Sequence, residues 1–448
     1  MSVVIGDEKK EMFNRYCLIF LLILCFAFPQ VCLAKPEGTV KFSTIRKENP
    51  KGEKEFLILP YAFPSDSMGT TAGVGAMAKG YGQEQLLFGV TAFGSDDGAA
   101  GFIGGIWDYH LPWFERLYFS FMGSVGHYPR QRAYTTVHRT GSESDAGGND
   151  SHPYDYIENQ GLDNWFEYKF EYVFPIGSMH NNSIAEYHLS EGLLTSGATG
   201  GDFWNPLETG VTVLVIKQFN RYQSYQTGDE KLEGTIHPIE VGLLYDNTDF
   251  PGNPSKGSSQ YFGITHDNGW MESEEKWTFI EFEASKYFDF GESQYARQRV
   301  IALNFWTGDS PTWDVTTSSS GASEVSNNPP FLEGARLGGF YRMRAYPNNR
   351  FNDRSVIYTT AEYRYTPKWN PIADISWLQF LKMDWFQVAG FIEGGRVANE
   401  YSFSKLSSDW KMDVGVGLRA MVAGGVLRFD VATSDETTTG WVMFAHPF

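Results

Sequence analysis

Two stretches of the chain have the spacing of a dinucleotide-binding turn, Gly73-x-Gly75-x-x-Ala78 and Gly415-x-Gly417-x-x-Ala420. That chemistry needs a strand that turns sharply into a helix, whose N-terminal N–H groups receive the phosphates. Both stretches lie inside alternating segments with no helical pattern after them, so their glycines belong to strands. The sequence has no Gly-x-Ser-x-Gly elbow, no His-Glu-x-x-His and no phosphate-binding loop, and its nine histidines fall at no metal-ligand spacing. His188, two residues after Glu186, has the residue types for a lipid hydrolase at a barrel rim, but a single solvated histidine is the plainer reading. The three cysteines, Cys17, Cys25 and Cys32, all precede residue 35. A chain trimmed there has neither disulfides nor thiolate ligands. The expectation is a protein that is not an enzyme and holds no cofactor and no metal.

Charge is the chemistry that remains, and its placement follows strands. From Trp165 to Phe174, the aromatics Phe166, Tyr168, Phe170, Tyr172 and Phe174 share one face, while Glu167, Lys169 and Glu171 share the other. Ile280, Phe282 and Ala284 oppose Glu281, Glu283 and Ser285. Val414, Val416, Leu418 and Ala420 oppose Asp413, Gly415, Gly417 and Arg419, and Leu427, Phe429 and Val431 oppose Arg428 and Asp430. Such a period of two marks half-buried strands. A soluble sandwich turns its apolar faces inward, whereas a membrane barrel turns them to lipid and keeps charges in a polar lumen. Periodicity alone does not choose between them.

The two ends of the chain favour the membrane. Tyr16 to Phe28 is an unbroken apolar run behind Arg15, too short to span a bilayer comfortably and of the length of a signal-peptide core. Cys32-Leu33-Ala34 then supplies small residues for cleavage before Lys35, so 1–34 reads as an export signal. The last segment, Trp441-Val-Met-Phe-Ala-His-Pro-Phe448, reads as a strand with Val442, Phe444 and Phe448 on one face. Outer-membrane barrels close on such a strand, and Phe444 and Phe448 are the expected signal for the barrel-assembly machinery. A net charge of −18 without a basic cluster argues against nucleic acid. The expected fold is all-β, a transmembrane antiparallel β-barrel of about 16 strands in the bacterial outer membrane. It spans 67–448, behind a short polar periplasmic lead at 35–66. Counting strands from Thr70 makes 128–163 an unusually long periplasmic connection, which is a long turn, a plug or a missed hairpin.

From Leu337 the sequence runs LGGFYRMRAYPNNRFNDRSVIYTTAEYRYTP, then VAGFIEGGRV, then DVGVGLRAMVAGGVLRFDVA, and Tyr245 to Gly257 reads YDNTDFPGNPSKG. In order and spacing these motifs resemble the bacterial surface antigen family, the BamA/TamA and two-partner-secretion superfamily of outer-membrane barrels. The resemblance covers the chain from Tyr245 to its end. It implies that the sixth extracellular loop, here 309–353, folds into the lumen. The loop's tip, Arg344-Ala345-Tyr346, would be pinned by Glu362 and Glu393 on the inner wall. Ala345 stands where the family has Gly and Glu393 where it has Asp, so the tip is expected to bend differently. Alternation independently turns Glu362, Arg364 and Glu393 to the lumen, with Arg419, Arg428 and Asp430 as supporting charges.

The superfamily usually carries periplasmic POTRA domains, and none fits between Lys35 and the first strand. The resemblance implies insertion or translocation of protein, with lipid as a second cargo, at the outer membrane. The partners it implies are outer-membrane lipid and lipopolysaccharide, the barrel-assembly machinery and unfolded protein clients. A first strand of small residues (Gly69, Thr70, Thr71, Ala72, Gly73, Gly75, Ala76) would weaken its seam with the last strand. The alternatives are a passive pore or structural barrel and, third, a lipid hydrolase.

Overall fold

The computed structural model describes residues 38–47, 54–65, 68–136, 138–227, 230–273, 275–370, 382–422 and 424–448. The expected export signal, 1–34, lies outside the described residues. In chain order the strands are β1 (Phe42–Arg46), β2 (Glu55–Ser65), β3 (Gly69–Lys79), β4 (Leu87–Ser95), β5 (Ala100–His110), β6 (Leu117–Ala133), β7 (Ile157–Val173), β8 (Ala185–Ser190) and β9 (Leu193–Ser196). There follow β10 (Val211–Thr227), β11 (Glu230–Ile236), β12 (Ile239–Asp246), β13 (Gly257–Asn268), β14 (Lys276–Asp289) and β15 (Ala296–Asp309). The last are β16 (Asp314–Thr317), β17 (Ser323–Ser326), β18 (Ala335–Leu337), β19 (Phe351–Asp353), β20 (Ser355–Pro367), β21 (Met383–Ala398), β22 (Lys411–Val422), β23 (Gly425–Thr433) and β24 (Thr438–Phe444).

Among the described residues sixteen strands form the wall, counting β11 and β12 as one strand broken at His237 and Pro238. They join edge to edge in antiparallel order from β2 round to β24. The sheet curls into a barrel whose ladders do not close among the described residues. No ladder joins β2 to β24 among the described residues.

The side chains settle which way the faces point. Phe166, Tyr168, Phe170 and Tyr172 stand 37–41% exposed on the outer wall, while Lys169 and Glu171 are buried inside. Phe282, Val414 and Val416 are likewise outward, and Glu281, Asp413, Arg419, Arg428 and Asp430 inward. An apolar exterior around a charged interior is the inverse of a soluble sandwich.

Two sequence expectations need correction. The first wall strand is β2, which lies inside the segment read as a polar lead. Its run Glu55-Phe-Leu-Ile-Leu-Pro-Tyr-Ala-Phe-Pro-Ser65 does not alternate, and Pro60 and Pro64 argue against an interior strand. Proline is tolerated here because β2 is an edge strand. The strand of small residues, β3, is therefore the second. Beginning the count one strand late also put 128–163 at the wrong end. β6 and β7 each extend to 17 residues, and the loop they share, 134–156, lies at the far end, opposite the near end where β2 begins.

The near end carries an addition that the sequence reading did not reveal. β8 and β9 lie in the 174–210 connection between β7 and β10. β1 pairs parallel to β8, from Phe42 opposite Ala185 to Arg46 opposite Leu189, and completes a three-stranded sheet.

Candidate functional site: the lumen clasp and the open seam

The inward faces of β20 to β24 build one patch of wall. β20 contributes Glu362 and Arg364, β21 Phe391 and Glu393, and β22 Asp413 and Arg419. β23 adds Arg428 and Asp430, and β24 adds Thr439 and Trp441. Loop 310–354 folds into the lumen and lays Arg344 on this patch. Gly338 and Gly339, at φ 106° and 108°, occupy backbone that only glycine adopts without strain, and they turn the chain inward.

Arg344 is fully buried. Its Nη1 donates to Asp430 Oδ2 at 2.8 Å and to Glu362 Oε2 at 3.3 Å. Its Nε lies 3.1 Å from Glu393 Oε2, and its backbone N–H donates to that same oxygen at 2.6 Å. The guanidinium stacks 3.4 Å from the centroid of the Phe391 ring, a cation–π contact strengthened by the exclusion of water. Its carbonyl accepts from Trp441 Nε1 at 2.7 Å and from the Thr439 hydroxyl. The tip's neighbours are held too. Ala345 N–H donates to Asp413 Oδ2 at 3.2 Å, and the Tyr346 hydroxyl donates to Asp435 Oδ1 at 2.8 Å.

The supporting charges close the arrangement. Glu362 accepts from Arg364 Nη2 at 2.9 Å and from Arg419, while Asp430 accepts from Arg428. Arg344, Arg364, Arg419 and Arg428 thus face Glu362, Glu393, Asp413 and Asp430, and none of the eight is more than 2% exposed. These are not charges bathed in lumen water. In such a site the loss of one partner costs roughly 3–5 kcal/mol, because the survivor cannot resolvate. The left-handed residue of the tip is Met343, at φ 59°, two residues before Ala345, which itself is not in that region. The longer Glu393 reaches both the side chain and the backbone of Arg344.

Loop 134–156 holds the base of the inward loop from the far end. Arg350 forms a two-pronged pair with Glu436 (2.7 and 2.9 Å) and donates to Ser151, and Asn352 N–H donates to Gly147 O at 2.7 Å. Arg139 donates to Asn352, and Arg396 to Glu143. Burial, with Glu143 and Asp145 nearby, outweighs Arg139 and pushes the Asp353 carboxyl up to about 6.

The C-terminus departs from its expected place. β24 ends at Phe444, and Ala445, at φ 66°, breaks the alternation, so Val442, Phe444 and Phe448 do not share a face. The last residues turn into the lumen. His446 Nδ1 accepts from Arg419 Nη1 at 2.9 Å, and its Nε2 lies 3.2 Å from Asn253 Oδ1. Phe448 stacks on Tyr287 and sits 5.2 Å from the Arg364 guanidinium. The two glycine motifs lie in β3 and β22, where a Cβ on Gly73 would strike the Tyr61 ring and one on Gly415 the Phe391 ring. His188 lies on β8 at the near end and pairs with exposed Glu186 at 3.1 Å.

A cavity of about 1460 Å³ lies in the lumen beside the inward loop. It reaches both edge strands, at Tyr61 of β2 and Trp441 of β24, and its rim includes Asp97 and Arg130 at the far end. The chamber therefore borders the junction of β2 and β24, which has no ladder among the described residues.

An apolar exterior, a charged lumen and an inward loop pinned to the last five strands define an outer-membrane β-barrel whose loop clasps its own wall. The Omp85 superfamily domain matches residues 165–441, and the chain belongs to that superfamily. Similar solved structures include CdiB from Escherichia coli, at 12% identity and TM-score 0.52, covering 86% of this chain and 61% of that one. CdiB from Acinetobacter baumannii is similar at 12% identity and TM-score 0.46, covering 88% of this chain and 59% of that one. BamA from Haemophilus ducreyi lacking POTRA domains 1–3 is similar at 12% identity and TM-score 0.43, covering 93% of this chain and 75% of that one. The chain thus spans about three fifths of each CdiB chain. No curated protein matches it. The chain is a bacterial outer-membrane protein. Because barrels of this kind carry their longer loops outside, the far end, with loops 134–156 and 310–354, reads as extracellular and the near end as periplasmic.

Asp430 as a direct partner of Arg344, and Asp413, Phe391, Thr439, Trp441 and Asp435 as contacts of the tip, were not singled out from sequence. Alternation alone marks Asp413 and Asp430 as inward, which was the available signal.

Proposed function

We propose that the chain inserts protein into the outer membrane, or translocates it there, through the seam between β2 and β24, without bond chemistry. The observation that carries this reading is the unladdered junction beside the chamber. Among the described residues β2 is laddered on β3 alone, and Pro60 and Pro64 remove two donors that a partner strand would need. On the other side β24 has only seven residues before it bends away. The clasp fixes β20 to β24 as a rigid jamb, so movement falls to the β2 side. An incoming strand would find an open, proline-free edge on β24 and pair with it by β-augmentation.

Insertion is the first reading because the opening faces lipid. Export through the lumen, as in two-partner secretion, is the second, supported by the likeness to CdiB in fold. A passive pore is less well supported, because the near-end sheet and the inward loop occupy the lumen. Outer-membrane phospholipid and lipopolysaccharide, the barrel-assembly machinery and unfolded clients are the partners this reading requires.

Photocrosslinking residues at Phe56 and Ile58, which stand 60% and 51% exposed on β2, test it in living cells. Adducts with nascent outer-membrane proteins at these positions, but not at Val90 on β4, are expected. Equal labelling at both sites, or only lipid adducts at β2, would overturn protein insertion.

A further inference from the structure

β1 crosses the periplasmic mouth as a beam. At its start Lys41, fully buried, donates to Asp108 on β5 and to Glu171 on β7, both at 2.6 Å. Burial pulls this ammonium toward neutrality, but Asp108 and Glu171 outweigh it and hold the group above the usual lysine value. At the end of the beam Arg46 pairs with Glu55 of β2 at 3.1 Å and with Asp384 of β21 at 3.2 Å. β5 and β7 are the fourth and sixth strands of the wall, whereas β21 and β2 are the thirteenth and first. The two anchors therefore stand on roughly opposite sides.

The rest of the sheet packs across the same gap. Val40, Tyr187 and Leu189 share one apolar cluster with Tyr118 and Val213 on one wall and with Trp385 and Met421 on the other. Trp385 Nε1 donates to Gly192 O in the β8–β9 turn at 3.1 Å. The chamber, which reaches the far-end rim at half-exposed Arg130, ends at Thr39 and Asp108, directly above buried Lys41.

We propose that the β1–β8–β9 sheet is a stopper that shuts the lumen from the periplasm, and that Lys41 is its pin. The stopper is tied to the seam, because Arg46 at one end of the beam holds Glu55 on the strand that must move for the seam to widen. Displacement of β2 pulls on β1, and withdrawal of β1 removes the beam. Lumen access and seam opening are then one motion. This inference concerns the lumen and stands whatever the cargo is.

Conductance of the purified full chain in planar lipid bilayers tests it. The wild type is expected to be nearly silent. Lys41→Ala strands Asp108, while Glu171 keeps Lys169 at 3.5 Å. Open time should rise at least about tenfold, one decade for each 1.4 kcal/mol lost by the closed state. Arg46→Ala releases the beam from its other end and should conduct likewise. Cysteines at the register partners Ile45 and His188 lock β1 to β8, so Lys41→Ala carrying this pair should be silent when oxidised and conduct when reduced. A boiling-dependent gel shift identifies folded protein in each case. Three results would overturn the stopper: a wild type that conducts as well as Lys41→Ala, silence of both release variants when folded, or an oxidised pair that conducts freely.

Discussion

Removing the Arg344 side chain has an uneven effect on its three carboxylates. In Arg344→Ala, Glu362 keeps Arg364 and Arg419, and Asp430 keeps Arg428. Among the described residues Glu393 pairs with no other cation, and its register partner on β22 is another acid, Asp413. It retains the Tyr358 hydroxyl and the backbone N–H of residue 344. An uncompensated buried charge costs roughly 3–5 kcal/mol, and the two surviving donors place this variant near the lower figure, about 3 kcal/mol. Glu393→Ala should cost a similar amount by freeing the guanidinium on that side. The double variant should fall short of the sum of the singles by about 1–3 kcal/mol. Arg344→Lys keeps the charge but not the fork that reaches three acids, so it should lie between. Urea titration, read as loss of the fast-migrating unboiled band, gives the energies, and tryptic cleavage after Arg342 and Arg350 reports release of the loop. Strict additivity, or an Arg344→Ala loop as protected as the wild type, would refute the clasp.

Further outcomes follow from the loop base, the tail and the leader. The Asp353 carboxyl is raised to about 6, so the stability contributed by its protonated form is complete below the ordinary carboxylate value and is lost as pH rises through about 6. Loops 134–156 and 310–354 should therefore resist protease better at about pH 5 than at about pH 7.5, and Asp353→Asn should flatten the difference. Phe448→Ala should free the inward tail at a cost of about 1–2 kcal/mol, seen as faster carboxypeptidase trimming; an unchanged rate would deny the tail its lumen packing. Mass spectrometry of the membrane-extracted protein should find an N-terminus close to Lys35, and retention of Tyr16 to Phe28 would rule out the export signal.

Alternation made much of the wall legible, because a strand between lipid and a polar lumen must carry opposite chemistry on its two faces. The faces of β7, β14, β22 and β23 follow directly from their sequences. The same rule failed at β2, where prolines hide a strand that survives only because one edge is free. It also could not identify β8, whose Ala185, Tyr187 and Leu189 alternate like a wall strand while packing across the mouth. The clasp was readable in Arg344, Glu362 and Glu393, since motif and face agree there. Its contacts with Phe391, Thr439, Trp441 and Asp435 depend on where the loop tip settles in three dimensions, which one sequence does not encode locally. Nor does an alanine announce the left-handed backbone of residue 445, which takes Phe448 off the strand.

Whether β2 and β24 part is read from the distance across the seam. Spin labels at Ile58 on β2 and Val442 on β24, in full-length protein in lipid, report how that junction moves. A control pair at Ala76 and Val90 lies on laddered neighbours β3 and β4. A broad or two-peaked distribution is expected for the seam pair and a single narrow one for the control. A seam distribution as narrow as the control would mean that β2 and β24 are fixed to each other, and insertion through this junction would be contradicted.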